Sequence, residues 1–317
     1  MSATSPPTSE RPLGGRPPDG WLNVSAGVAS VTVALVLVGF KLWGFAETGS
    51  LAIAATLVDS GLDLLMSGAG LVAILYAQRP ADEDHAFGHT SAEDLAALGQ
   101  SFFILVSAGV IAVAALRRLL VPTASGIEAE ATGALVLGLS IALTLALVVW
   151  QRRVARLTGN AVVRADSLHY LGDLIPNLGG LVALWASAAL GLGQVDSVVA
   201  LVAAALMATG AVGIGRHAFD ALMDRAVEPE VIDGIAAIAR DYPGVRGFHD
   251  LRTRMAGSHV FVNLHVELDG QQTLDEAHAI GAGLRRAIIR AYPRADVIIH
   301  KDPVGVLPHP EDPRHSR

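Results

Sequence analysis

RADSLHYLGDLIPNLGGLVALWASAALGLG, Arg164–Gly193, decides how this chain is read. Its second half is apolar over a length that, with the residues before it, approaches the ~20 needed to cross a bilayer. Its first half sets Asp166, His169 and Asp173 within about two helical turns. A carboxylate at membrane depth costs several kcal/mol unless it is partnered or hydrated, so such groups face a bundle interior or a cavity. The stretch therefore reads as a membrane helix with a working inner face.

The whole composition agrees. Of 317 residues, 52% are hydrophobic and only 17% charged, where soluble domains carry about 25% charged residues. Charge collects between Arg79 and Asp94 and again after Arg216, which separates a membrane domain from a polar one. No cysteine is present, so disulfides and thiolate metal sites are excluded and His, Asp and Glu are the strong ligands available. The net charge of -7 argues against a nucleic-acid partner. The basic residues are almost all arginine, with Lys41 and Lys301 the only lysines, a usage that fits a GC-rich bacterial genome.

Residues 1–20 are rich in Pro, Ser and Gly and are expected to form a disordered tail without signal-peptide features. Spanning helices are expected at about 22–45, 50–77, 95–120, 131–151, 162–190 and 195–216, which makes 21–216 a six-helix transmembrane domain. Arg11, Arg16, Arg79, Arg152, Arg153, Arg156, Arg164 and Arg216 fall on one side of it and Arg117 and Arg118 on the other. The positive-inside rule then puts both termini, and the loop between the second and third spans, in the cytoplasm. From about Glu228 the periodicity changes. EVIDGIAAIARDYPG reads as an amphipathic helix, VRGFHDLRTRMAG and SHVFVNLHVELDG as strands joined at Gly257, QTLDEAHAIGAGLRRAIIRAYP as a second helix and ADVIIH as a third strand. The expectation for 217–308 is a small α+β domain with one sheet and two helices, and for 309–317 a tail.

LVDSGLDLL in the second span places Asp59 and Asp63 four residues apart, on one helix face. His169 and Asp173 repeat that spacing in the fifth. Two helices thus offer two ligands each. Three carboxylates and an imidazole suit tetrahedral binding of a divalent first-row ion, zinc above all. Three anions over-neutralise a dication, so the site takes up protons when metal leaves, and an imidazole, which ordinarily titrates near neutral pH, is the natural first acceptor. That competition is the physical basis of a metal/proton antiporter. Asp166 is left outside the site, as a helix cap or a partner of Arg152, Arg153 or Arg156 at the cytoplasmic mouth. Gly61, Gly68 and Gly70 are expected to let the second span pack closely, and Pro176 and Asn177 to weaken the fifth. In the loop after the second span, Asp82, His85 and His89 form a compact cluster with metal-ligand spacing.

DSGLD, RPADEDHAFGHTSAED, RADSLHYLGD, HDLRTRMAG and IIHKDP, in this order, make the chain from about Trp21 to Pro308 resemble the cation diffusion facilitator family, in its bacterial zinc/proton antiporter branch. The resemblance implies a homodimer of six-helix protomers in the bacterial inner membrane. Each protomer would carry a metallochaperone-like cytoplasmic domain and export divalent metal in exchange for protons. It places the transport site on Asp59, Asp63, His169 and Asp173 and a second site on Asp82, His85 and His89. A binuclear site falls on His249, His265, His278, His300 and Asp302, where cytoplasmic zinc would tighten the two soluble domains. His217, His259, His309 and His315 have no counterpart. Thr90 and Ser91 stand where relatives of that branch often carry a lysine, so Asp224 is expected to lack a cross-dimer ion pair. Lys301, between His300 and Asp302, opposes metal binding unless strand alternation turns it away.

Zinc is the expected substrate, with iron or cadmium as the alternative; His169 argues against manganese, which prefers all-oxygen sites. A membrane metalloenzyme is disfavoured because four ligands fill a tetrahedron and no HExxH-like motif appears. A metal-sensing scaffold without transport is the remaining alternative.

Overall fold

The computed structural model describes residues 20–48, 51–120, 131–190, 195–257 and 259–305; inside the helices, the side chains of 48, 51–56, 58–59, 131–137, 175–177, 179–190 and 195–196 lie outside that description. The terminal tails expected at 1–20 and 309–317 fall almost wholly outside it as well. The chain divides into two compact units that part after Leu222.

The first unit holds six helices: α1 (Gly20–Thr48), α2 (Leu51–Ala77), α3 (Ser91–Leu120), α4 (Ala131–Thr158), α5 (Ala161–Leu190) and α6 (Val195–Leu222). Among the described residues, five of them are long and apolar enough to cross a membrane; α5, whose C-terminal side chains are mostly undescribed, completes the bundle. Apolar side chains such as Leu65, Val72, Phe102 and Val110 are exposed, as a lipid-facing surface requires. The interior combines buried apolar side chains such as Ile74, Ile104, Tyr170 and Met207 with small residues and a set of polar ones. α3 packs most extensively on α6, α1 on α2, and α5 against both α6 and α4. Gly172 of α5 makes room for Met207 of α6, and a Cβ at Gly70 of α2 would sit 2.8 Å from Gln100 Nε2 and 3.1 Å from Val162 Cγ1. Gly61 and Gly68 meet nothing within 4 Å, so of the three glycines expected to seat α2 only Gly70 does. Position, not residue type, decides which glycine touches a neighbour.

Helix ends run past the apolar stretches. α4 continues through Arg152, Arg153 and Arg156 to Thr158, and α6 through Arg216 to Leu222. Gly159, at φ 73°, ends α4 with its N–H on Ala155 O at 2.9 Å. Asn160 then caps α5, its Oδ1 accepting from Val163 N at 3.0 Å. The N-terminus of α1 and the C-terminus of α2 share one end of the bundle, where Gln78 Nε2 donates to Gly20 O at 3.3 Å.

The second unit contains α7 (Pro229–Arg240), β1 (Gly247–Ala256), β2 (His259–Leu268), α8 (Leu274–Ala291) and β3 (Ala295–Pro303). The strand order is β1-β2-β3, β1 antiparallel to β2 and β2 parallel to β3 through the α8 crossover. Val262, Leu264, Val266 and Leu268 of β2 alternate onto the core face and meet Ile235 of α7 and Leu284 and Ile288 of α8. The alternate residues are left on the open face of the sheet. α8 starts with a capping box in which Thr273 and Glu276 satisfy each other's backbone N–H. That backbone hydrogen bond holds the Glu276 carboxyl below the usual range. Thr273→Ala is expected to lower the stability of this unit by about 1 kcal/mol, measured by urea unfolding of the full chain.

Candidate metal sites

Inside the bundle, α2 and α5 face each other with Asp63, His169 and Asp173, whose ligand atoms lie within 4.8 Å of one another. His169 Nε2 stands 2.9 Å from Asp63 Oδ1 and 4.0 Å from Asp173 Oδ2. The imidazole is 8% exposed, Asp63 17% and Asp173 39%, so the cluster opens on the Asp173 side. Phe103 sets its ring edge against His169 at 5.7 Å. Asp59 lies on α2 one turn before Asp63, and its side chain is outside the described residues. Pro176 and Asn177 share that limit; α5 runs through them without a break.

Asp166 departs from the expectation of a cap or an arginine partner. Arg152, Arg153 and Arg156 lie on the exposed surface of α4, whereas Asp166 points inward and is buried. Ser30 of α1 donates to its Oδ2 at 2.5 Å, Gln151 of α4 to the same oxygen at 2.6 Å and Ser67 of α2 to Oδ1 at 3.3 Å. The Ser67 hydroxyl also meets the Tyr170 hydroxyl at 3.0 Å. One carboxylate thus ties α1, α2 and α4 to α5. A group to which the sequence analysis gave no role is Lys41 of α1, whose Nζ donates to Ser60 Oγ at 2.6 Å, beside the α2 turn that carries Asp59 and Asp63. A lone lysine within an apolar span was the available signal for it.

The loop between α2 and α3 folds around Asp82. Its Oδ1 accepts from His85 N at 2.7 Å and Asp84 N at 3.1 Å, and lies 3.1 Å from His85 Nδ1. Its Oδ2 lies 3.2 Å from His89 Nε2. His89 is buried against Tyr76, ring edge to ring face at 4.7 Å, so half of this exposed loop is anchored to the helix before it. The His85 backbone N–H holds the Asp82 carboxyl below the usual carboxylate range. A lowered pKa contributes to the loop's folding above the unfolded value and stops contributing as pH falls through the folded one. An NMR titration is therefore expected to find Asp82 ionised at pH values where exposed aspartates are protonated, with the loop resonances shifting only when Asp82 itself protonates.

On the open face of the tail sheet, His249, His265 and His300 stand side by side because the register pairs His249 with His265 and His265 with His300. Asp302 joins them. Its Oδ2 lies 3.0 Å from His265 Nδ1 and 3.6 Å from His249 Nε2, and its Oδ1 lies 3.1 Å from His300 Nε2. One carboxylate spans three imidazoles, an arrangement able to bridge two ions. Glu267, also 3.2 Å from His249 Nδ1, was absent from the sequence reading, although its position two residues after His265 on an alternating strand marks it. Asp250, at φ 49° in the β1 bulge, is the other omission, 3.9 Å from His265 Nε2. Lys301 turns onto the opposite face, its stem packed over Gly281 of α8. His278 is exposed on α8 in the layer behind the sheet and does not join this cluster within the protomer. Asp224 pairs with Arg254 of β1 at 3.1 Å.

A helical membrane bundle with ligand-type side chains in its interior, followed by a domain with a further cluster, defines a polytopic cation carrier. Residues 27–223 match the cation efflux transmembrane domain and residues 227–304 the cation efflux protein cytoplasmic domain. The cation-efflux pump FieF of Shewanella oneidensis is 42% identical over 290 residues, covering 92% of this chain and 97% of that protein. FieF of Pectobacterium atrosepticum is 41% identical over 283 residues, 89% of this chain and 93% of that protein. The solved metal-bound C-terminal domain of the CzcD transporter from Thermotoga maritima is 28% identical, covering 25% of this chain and 92% of that domain with a TM-score of 0.24. The chain belongs to the cation efflux, or cation diffusion facilitator, family: it is a multi-pass membrane transporter of divalent cations, not an enzyme.

Proposed function

We propose that the protein exports zinc from the cytoplasm in exchange for protons, by alternating access, as a homodimer in the bacterial inner membrane with both termini cytoplasmic. The observation that carries this reading is His169 Nε2 set 2.9 Å from Asp63 and 4.0 Å from Asp173 within the membrane bundle. Together with Asp59 they make a nitrogen and oxygen donor set of the kind zinc takes tetrahedrally. Three carboxylates and one imidazole carry more negative charge than a dication cancels. Metal release toward the far side therefore favours protonation, and protonated ligands do not hold metal on the return. The transport domain is the helical unit assigned to 21–216 and the regulatory metal-binding domain the tail assigned to 217–308. Asp82, His85 and His89 form a second zinc site. His249, His265, His300 and Asp302 form a binuclear one in the tail, and His278, exposed on α8, reaches it from the second copy of the homodimer. Zinc held there draws the two tails together and biases the bundle's equilibrium.

Asp63→Ala and Asp173→Ala, each reconstituted in proteoliposomes, are expected to abolish zinc-dependent proton flux while gel filtration shows the native assembly. Unchanged flux in both overturns the reading. Parallel assays with iron and cadmium rank the substrate.

A further inference from the structure

Two buried polar side chains beside the membrane cluster are left without a partner among the described residues: Gln100 of α3, at both amide atoms, and His169, at Nδ1. Gln100 is 5% exposed. The two line one small cavity between α2, α3 and α5, with Met66, Phe103 and Asp166. Buried amides and ring nitrogens are hydrogen-bonded as a rule, and each exception calls for an explanation. The Gln100 amide lies against Gly70, where a Cβ would come within 2.8 Å of its Nε2.

The two nitrogens of an imidazole cannot be treated alike. Nε2 of His169 faces Asp63 and Asp173. To bind a cation it must offer a lone pair there, which leaves the single ring proton of the neutral form on Nδ1, on the cavity side. That N–H needs an acceptor. The oxygens of Asp166 already receive Ser30, Gln151 and Ser67, whereas Gln100 Oε1 has no donor. The two atoms are not in direct hydrogen-bond contact, and the cavity they line is on the scale of one water molecule, so one bridging water joins them.

We propose that Gln100 is a positioning residue for the transport site: through one bridging water its side-chain carbonyl takes up the hydrogen bond of the His169 Nδ1–H and fixes the tautomer that presents Nε2 to the cation. This rests on the reading of His169 as a ligand. Gln100 touches no metal itself; it orients and polarises the group that does, and loss of such an outer partner costs metal sites about 10- to 100-fold in affinity. Gly70 serves the same end by leaving space for the amide.

The test is zinc flux into proteoliposomes bearing the full-length protein. Gln100→Leu is expected to raise KM for zinc by about tenfold or more without lowering kcat, and Gln100→Glu, which keeps an acceptor oxygen on the same stem, to restore it to within a few-fold. An unchanged KM in the leucine variant, or equal losses in both variants, overturns the proposal. Should the leucine variant fail to assemble, Gly70→Ala, which pushes the amide from its seat, is read in its place: a raised KM supports the proposal and an unchanged one overturns it. His169→Ala separates the two levels. Retained transport there defeats the ligand reading itself, whereas lost transport alongside an unchanged KM for Gln100→Leu defeats the positioning role alone.

Discussion

A carboxylate held at membrane depth costs several kcal/mol unless another group partners it, and α5 carries two of them, Asp166 and Asp173, on either side of His169. Much of the bundle's inner architecture answers that cost. Asp166 draws hydroxyls from α1 and α2 and an amide from α4. His169 reaches Asp63 on α2. Three helices, α1, α2 and α4, are thereby held in register around α5 by polar contacts that cannot slide. Lipid supplies no hydrophobic drive between helices, so such contacts and close packing of small residues must do the holding.

The two carboxylates differ sharply along this single helix. Asp166 is enclosed by donors and takes part in packing, while Asp173, one turn past His169, stays partly exposed. The saturated group sits with the helices that must stay together. The open one belongs to the proposed transport site, which needs access for an ion. Lys41 adds a fixed cation next to the same turn of α2, which moderates the negative charge gathered there.

The clusters outside the bundle are built on different principles. The loop cluster depends on one aspartate turning a short segment back on itself, with His89 pinned to Tyr76 and His85 left exposed. In the tail, rigid strand register does the work, lining up His249, His265 and His300 across three strands with Asp302 as the hub. Sheet geometry gives fixed spacing at an exposed surface, and a loop gives adaptability.

Much of this was legible in the sequence because it depends on local periodicity. Apolar runs define spans, and the fourfold spacing of His169 and Asp173 puts both on one face whatever surrounds the helix. Strand alternation likewise turns Lys301 away from its neighbours and marks Glu267 beside His265. What no local rule contains is which face of one helix meets which face of another. That is why Asp166 read as a helix cap or an arginine partner, why Gln100 and Gln151 went unremarked, and why Gly70 could not be told from Gly61 and Gly68. The sequence by itself determined the elements and the donors each presents; the tertiary structure alone decided which donors meet, since a hydrogen bond between helices far apart in the chain depends on the packing of all of them.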